Sequence, residues 1–290
     1  MSLPCLSLAF FFSLGLTVSG LAQVDCCAGR QEPPAASTKR VLRVSSDPNN
    51  LPFSNERREG FENKIAELIA RELDANLQYS WRAQRRGFFR EALKENRADL
   101  VLGVPAHFEM ALTTQPYYRS SYVFVYRKDR KLDIHSLDDP ALRNLKIGVQ
   151  MIGNDGRNTP PAHALADRGI IDNVVGYTVY GDYAQENPPA RAIDAVAQGD
   201  VDLAIAWGPL AGYFASVAKV PLEVVPVSPA ADPEIPFTFN ISIGVRKGDQ
   251  HLRDEIDAVL VRKHREIEAI LDDYKIPRVP EPAKDVASAK

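Results

Sequence analysis

Cysteine is nearly absent from this chain of 290 residues: there are 3, Cys5, Cys26 and Cys27, and all lie close to the amino terminus. A disulfide framework, a thiolate metal site and a nucleophilic thiol are thereby excluded from the rest of the chain, whose stability must come from ordinary core burial. An excess of one charge is missing too. The net charge is -3 and acidic and basic residues are interspersed, so nothing here would draw a nucleic-acid backbone. Long apolar runs are confined to Leu6–Val18, centred on Phe10-Phe11-Phe12, a length that suits an export signal and is short for a membrane span. Gly20-Leu-Ala22 offers a small-residue cleavage site, although no Lys or Arg precedes the apolar core, the first basic residue being Arg30. Residues 1–22 are therefore expected to be a signal peptide, and the mature chain to be periplasmic. Asp25 stands before Cys26 where lipidation needs a small residue.

Motifs that anchor chemistry are also missing. There is no Gly-x-Ser-x-Gly elbow, no P-loop, no dinucleotide fingerprint and no calcium loop. His107, His135, His163, His251 and His264 are scattered at spacings that do not suit zinc. The expectation is a protein that is not an enzyme and that binds no metal or cofactor of its own.

What the chain does contain is an internal echo. Ala92-Leu-Lys-Glu-Asn-Arg-Ala-Asp99-Leu-Val-Leu-Gly103 is matched by Ala195-Val-Ala-Gln-Gly-Asp-Val-Asp202-Leu-Ala-Ile-Ala-Trp-Gly208. Each reads as a helix ending at a residue that tolerates left-handed geometry, Asn96 or Gly199, followed by an Asp that opens a short buried strand. Upstream, Gln31 to Arg40 is Pro-rich and polar, so residues 23–40 read as a linker. Val41–Val44 begins the first strand, Phe61, Ile65, Leu68, Ile69 and Leu73 mark a helix, Asn76–Trp81 is a strand, Phe88–Glu95 a helix and Asp99–Val104 a strand. Tyr122–Tyr126 reads as one crossing and Leu222–Val227 as the return. Between them come strands at Leu145–Val149, Val174–Val179 and Val201–Ala206, and helices at Pro161–Asp167, Pro189–Gln198 and Leu210–Ala218. Phe239–Val245 rejoins the first part, a long closing helix carries Leu252, Ile256, Leu260, Ile267 and Leu271, and a tail follows Pro277. Alternating strands and helices with two crossings imply an α/β, two-lobed type II periplasmic binding protein fold, each lobe a mostly parallel sheet flanked by helices. Residues 41–127 plus 228–277 would form lobe 1, 128–227 lobe 2 and 278–290 a flexible tail.

Open α/β sheets bind ligands beyond the carboxyl ends of their strands, and this directs the choice of site residues. Candidates for a ligand cleft or partner contact are Asp47, Asn49, Asn50, Phe53 and Asn55 in the loop after the first strand, and Glu62 and Asn63 at the start of the next helix. Trp81, His107, Tyr117 and Tyr118 follow strands of lobe 1. In lobe 2 the candidates are Asn154 and Asp155 in a Gly-bounded loop, Asp182 and Tyr183 in a long polar loop, and Trp207, Gly208 and Pro209 after the echoed strand. Each has a plainer reading beside the functional one: turn-formers in the loops, core packing for the aromatics, an ordinary connector at Gly181–Pro189.

Several longer runs carry a resemblance. Asp47-Pro-Asn-Asn-Leu-Pro-Phe-Ser-Asn55, Gly60-Phe-Glu-Asn-Lys-Ile-Ala-Glu67, Gly103-Val-Pro105, Thr113-Thr-Gln-Pro-Tyr-Tyr-Arg119, Thr159-Pro-Pro-Ala-His-Ala164, Tyr177-Thr-Val-Tyr-Gly-Asp-Tyr-Ala184, Asn187-Pro-Pro-Ala-Arg191 and Trp207-Gly-Pro-Leu-Ala-Gly-Tyr213 resemble signature runs of the quinoprotein-dehydrogenase-associated substrate-binding proteins, the J proteins of methanol oxidation. Together they span Val41 to Pro277. The resemblance implies a periplasmic type II binding-protein fold and association with a dehydrogenase that carries pyrroloquinoline quinone (PQQ), aiding its maturation or activation. Ser45 departs from the family, whose members often carry Cys there.

Amino-acid receptors of the same fold follow the third strand with Gly-x-x-x-Thr-x-x-Arg, whose guanidinium clamps the ligand carboxylate in bidentate fashion. Counted from Gly103, those places hold His107 and Met110. Such receptors also place an Asp near the end of the second lobe's last strand, where this chain has Trp207-Gly-Pro209. Both halves of an amino-acid clamp are absent. The leading expectation is an accessory partner of a PQQ-dependent methanol dehydrogenase, and the alternative is an ABC-transporter receptor for a small molecule other than a free α-amino acid.

Overall fold

The computed structural model describes residues 39–85, 87–151, 158–179, 183–232 and 235–280. The leader at 1–22, linker residues 23–38, the tail from 281 onward and the candidates Asn154, Asp155 and Asp182 lie outside the described residues.

The elements run in chain order as β1 (Val41–Ser46), β2 (Asn49–Asn50), β3 (Ser54–Asn55), α1 (Phe61–Glu72), β4 (Asn76–Trp81), β5 (Leu100–Pro105), β6 (Leu112–Thr113) and β7 (Tyr118–Arg127). There follow β8 (Ile147–Met151), α2 (Pro160–Asp167), β9 (Val174–Thr178), α3 (Arg191–Gln198), β10 (Leu203–Trp207), α4 (Gly208–Val217), β11 (Leu222–Pro226), β12 (Thr238–Val245), α5 (Gln250–Arg262) and α6 (His264–Asp273). Helix α1 forms because Phe61, Ile65, Leu68 and Ile69 recur at helical spacing, and all four are buried. At its start the Asn63 side chain accepts hydrogen bonds from the N–H groups of Gly60 and Asn55, both 3.1 Å, which satisfies donors that a helix end would otherwise leave open.

The strands order as β4-β1-β5-β12-β7-β10-β8-β9. One parallel group, β4, β1 and β5, faces another, β10, β8 and β9, across two antiparallel strands. Strand β7 belongs to both sides: Tyr118–Ser121 pairs with β12, and Tyr122–Tyr126 pairs with β10. Beyond β12 its alternation sorts two cores. Val123 and Val125 pack with α3 and α4, whereas Phe124 and Tyr126 pack with Ile147, Leu165 and Leu203.

The echoed sequence becomes an echoed clamp. Asn96 (φ 58°) and Gly199 (φ 83°) both adopt left-handed geometry. Asp99 then donates its N–H to Arg43 O and accepts the Arg43 N–H on its carboxylate, both 2.8 Å. Asp202 makes the same pair of 2.8 Å bonds with Lys146. Each Asp thus sets the entry of one parallel strand against the next. Asp99 is further gripped by the guanidinium groups of Arg43 (2.8 Å) and Arg246 (2.9 Å), whose hydrogen bonds outweigh burial and hold its pKa below the usual carboxylate value.

Four expectations shift. Leu222–Val227 is not the return crossing. Its residues form β11, which covers the second edge of β7 at Val123–Arg127, and the chain returns only after it. That edge has no β12 partner over this stretch, so its backbone groups require another strand. Phe88–Glu95 is helical from Phe88 to Lys94, but it winds as a π-helix over Arg90–Lys94. The closing helix is two helices, because Lys263 leaves helical geometry at φ −107°, ψ 17°. Lastly, Arg278–Pro280 is held rather than loose: Val279 donates its N–H to Arg119 O (2.9 Å), and the Arg119 guanidinium reaches Pro280 O (2.9 Å).

Replacing Asp99 by Ala is expected to cost about 2 kcal/mol, because a charge-assisted network is lost and two Arg groups lose their partner. Asp202→Ala should cost less, since its carboxylate is 24% exposed against 11% for Asp99. Urea unfolding followed by far-UV circular dichroism measures both. With a depressed native pKa, the Asp99 contribution is present above the unfolded carboxylate range and fades as pH falls through the native value.

Candidate binding cleft

The loop after β1 is assembled around Asp47. Its carboxylate is buried and accepts the N–H of Asn49 (2.9 Å) and of Gln84 (2.7 Å), while its main-chain oxygen accepts the Ser54 hydroxyl (2.8 Å). Burial raises its pKa, and these hydrogen bonds oppose the rise. The same carboxylate takes the Tyr183 hydroxyl at 3.3 Å, and Asn49 donates to Gln185 O at 2.9 Å. Leu51, 6% exposed, inserts among Ile193, Leu210 and Phe214. The loop therefore joins the first parallel group to the helices of the second. Tyr183, a candidate partner contact, is hydrogen-bonded to Asp47, and its ring stays exposed. Asn55 and Asn63 face away from any opening: Asn55 pairs with Glu59 (2.7 Å) and Asn63 organises the start of α1.

Between these groups lies a cleft of about 240 Å³. Phe53, Tyr122, Trp207 and Phe239 supply its aromatic wall, and Val179, Leu210 and Ile241 its aliphatic one. Trp207 packs edge-on against Tyr122 (5.4 Å between centroids) and Phe239 (5.9 Å), so a continuous aromatic surface runs from β10 across β7 to β12. The polar lining is Asn50, Gln150 and Thr159. Among the described residues no charged side chain lines it. Gln150 and Thr159 were not singled out by sequence, yet a signal existed: Gln150 is a polar residue at the carboxyl end of the buried run Ile147–Val149, where a strand opens onto a ligand space.

Of the eighteen candidates, Asn50, Phe53 and Trp207 line this cleft. Gly208 and Pro209 sit behind it in the first turn of α4, where a Cβ on Gly208 would come within 2.6 Å of Ser121 O. Trp81 lies outside the lining: it stacks on Tyr79 at 4.4 Å along edge strand β4. His107 is exposed in a left-handed turn (φ 62°) and donates its N–H to Thr113 Oγ1. Met110 is also exposed, so neither place that an Arg clamp would use points a cation into the cleft. Tyr118 is core, edge-on to Phe61. Glu62 and Tyr117 are buried under the cleft floor, where a Cβ on Gly103 would strike the Glu62 carboxyl, and Gly103 keeps φ at +73°. With no basic partner beside it among the described residues, burial pushes the Glu62 carboxyl up to about 8, which favours the protonated form at pH 7.

Because native Glu62 holds a proton that the unfolded chain releases above pH 4.5, stability should fall as pH rises from there to about 8. The slope from this group approaches ~1.4 kcal/mol per pH unit, and Glu62→Gln should flatten it and stabilise the protein at pH 8. Urea unfolding of both proteins at three pH values reads the difference.

Comparison with known proteins agrees with this architecture. Residues 42–275 match the bacterial extracellular solute-binding proteins, family 3. The chain is 32% identical over 265 residues to Protein MoxJ of Methylorubrum extorquens strain AM1, covering 87% of this chain and 85% of that protein. Among solved structures, the periplasmic binding protein XoxJ from Methylobacterium extorquens AM1 is 38% identical with a TM-score of 0.68, covering 83% of this chain and 100% of that one. MxaJ from Methlophaga aminisulfidivorans MPT is 28% identical with a TM-score of 0.72, covering 82% of this chain and 100% of that one. With this match over nearly all of its folded length, the chain belongs to the bacterial extracellular solute-binding proteins, family 3, as a two-lobed type II periplasmic binding protein of the MoxJ/XoxJ type.

Proposed function

We propose that this protein is a non-catalytic periplasmic accessory of a PQQ-dependent methanol dehydrogenase, aiding the maturation or activation of that enzyme, and that its cleft is the contact. The observation that carries this reading is the chemistry of the cleft. Among the described residues its walls are aromatic and aliphatic, and its polar groups are neutral. A free α-amino acid would bring a carboxylate and an ammonium against described lining residues that offer neither counter-charge, a desolvation cost of several kcal/mol. An apolar segment of a folded or folding protein brings no such charge. The similarity to MoxJ over 87% of this chain and to XoxJ over 83% supports the same assignment, and the signal-length apolar run Leu6–Val18 fits it. Any PQQ would be carried by the dehydrogenase, not by this chain. Among the described residues no helix is long and apolar enough to cross a membrane, so attachment through such a span has no support there.

The loop around Asp47 bears on how such a partner is met. Its bonds to Tyr183 and Gln185, with Leu51 inserted beneath, oppose the wide hinge opening by which solute receptors load. A fastened cleft suits a surface that docks a segment more than a trap that closes on a solute.

A strain lacking this protein should contain dehydrogenase with a reduced active, PQQ-loaded fraction, and the dehydrogenase should co-purify with the accessory from periplasm. Normal loading and activity in that strain would overturn the proposal. A second outcome is expected in vitro: the twenty free amino acids at millimolar concentration should leave the thermal midpoint of the purified protein unchanged, whereas a receptor for any of them would rise by several degrees.

A further inference from the structure

Two buried carboxamides in the cleft each have one polar atom engaged and the other without a partner among the described residues. Gln150 is 3% exposed, and its side-chain oxygen accepts the Trp207 N–H at 2.7 Å. A backbone N–H can only donate, so the orientation of that amide is settled and its Nε2 is left as the donor. The main-chain oxygen of Gln150 is held by the Thr159 hydroxyl at 3.0 Å, which fixes the residue at the end of β8. On the loop after β1, Asn50 is 4% exposed and donates its Nδ2 to the Gln84 side chain at 3.2 Å, which leaves Oδ1 as an acceptor. Neither Gln150 Nε2 nor Asn50 Oδ1 has a partner among the described residues, and both residues line the cleft.

We infer that the cleft is a recognition site for an uncharged amide carried on an aromatic or aliphatic group, with Gln150 donating to its carbonyl and Asn50 accepting from its N–H. The two residues come from different parallel groups, so an amide that reaches both spans the cleft. The aromatic surface of Phe53, Tyr122, Trp207 and Phe239 takes the apolar part, and 240 Å³ exceeds the ~150 Å³ that accommodates a benzene ring in an apolar cavity. Selectivity against ions follows from the same geometry. A carboxylate would find only neutral amide donors and an ammonium only neutral acceptors, too little to replace lost hydration. Committed amides of this kind also discriminate strongly, because a ligand that lacks the complementary group leaves them buried and unpaired. The inference deepens the accessory reading and rests on the cleft being the contact in it.

Isothermal titration of the purified protein with four probes tests it: N-acetyl-L-phenylalaninamide, acetyl-Ala-Phe-Ala-amide, L-phenylalanine and phenethylamine. The neutral amides should bind at least tenfold more tightly than the zwitterion and the amine. Gln150→Glu keeps an oxygen for the Trp207 N–H and replaces the donor by an acceptor, so amide binding should weaken at least tenfold while phenethylamine gains. Should that variant fail to fold, the selectivity of the unmodified protein still decides. Phenylalanine binding as tightly as the neutral amides, no heat from either amide up to ~10 mM, or unchanged amide affinity in folded Gln150→Glu would each overturn the inference. Either source of the amide supports it: tighter binding of the capped tripeptide identifies a peptide segment, and its exclusion while the small amide binds identifies a free small molecule. Normal dehydrogenase loading in the deletion strain would remove the partner and leave the amide selectivity to be judged by the titration alone.

Discussion

Strand β7 carries backbone hydrogen bonds for both parallel groups, and that sharing constrains everything around it. Its first four residues complete the sheet through β12, its last six are flanked by β10 and β11, and Val279 pairs beside Arg119 on the remaining edge. A backbone group left open inside such a sheet would cost as much as a lost hydrogen bond, so β11 and the segment after Pro277 are drawn in to cover edges. The consequence is a cleft whose floor is continuous strand. Tyr122 and Trp207 meet across one rung of the β7–β10 ladder, and Phe239 reaches them from β12, so the aromatic wall is placed by register.

Around that wall, polar side chains are used in two ways. Asp47, Asn55 and Asn63 spend their hydrogen bonds on backbone N–H groups and shape the loop before α1. Glu62 lies deeper, its pKa raised by burial, and occupies the space that glycine leaves at position 103. At the two places where the receptor motif has Thr and Arg, this chain has His107 and Met110, and both are exposed. The fold of a solute-binding protein is thus retained with a described lining of aromatic, aliphatic and neutral polar side chains.

The loop after β1 illustrates why the candidate site was only partly legible beforehand. Its turn-forming composition and its place after a strand pointed to the cleft, and Asn50 and Phe53 are there. Composition could not say that Asp47 and Asn55 would be consumed within the loop, since that depends on Gln84, Tyr183 and Glu59, residues brought near by folding. Trp81 was misleading for a related reason: an aromatic at the end of an edge strand can stack on its own strand neighbour, here Tyr79, without facing the centre. Gln150 and Thr159 were passed over because a single Gln after an apolar run carries little weight until the strand's end is known to open onto a cavity.

Local patterning alone determined the helix of Phe61–Glu72, the strand Asn76–Trp81, and the two Asp-led strands after Asn96 and Gly199, because side-chain periodicity and left-handed tolerance act over a few residues. It also confined the thiols to Cys5, Cys26 and Cys27 and placed His107 and Met110 where the receptor motif has Thr and Arg, since residue identities are not changed by folding. Tertiary structure alone decided which faces met. The β11 pairing, the break at Lys263, the raised pKa of Glu62 and the pairing of Gln150 with Trp207 each arise from contacts between distant segments, whose burial and hydrogen-bond balance exist only once the chain is assembled.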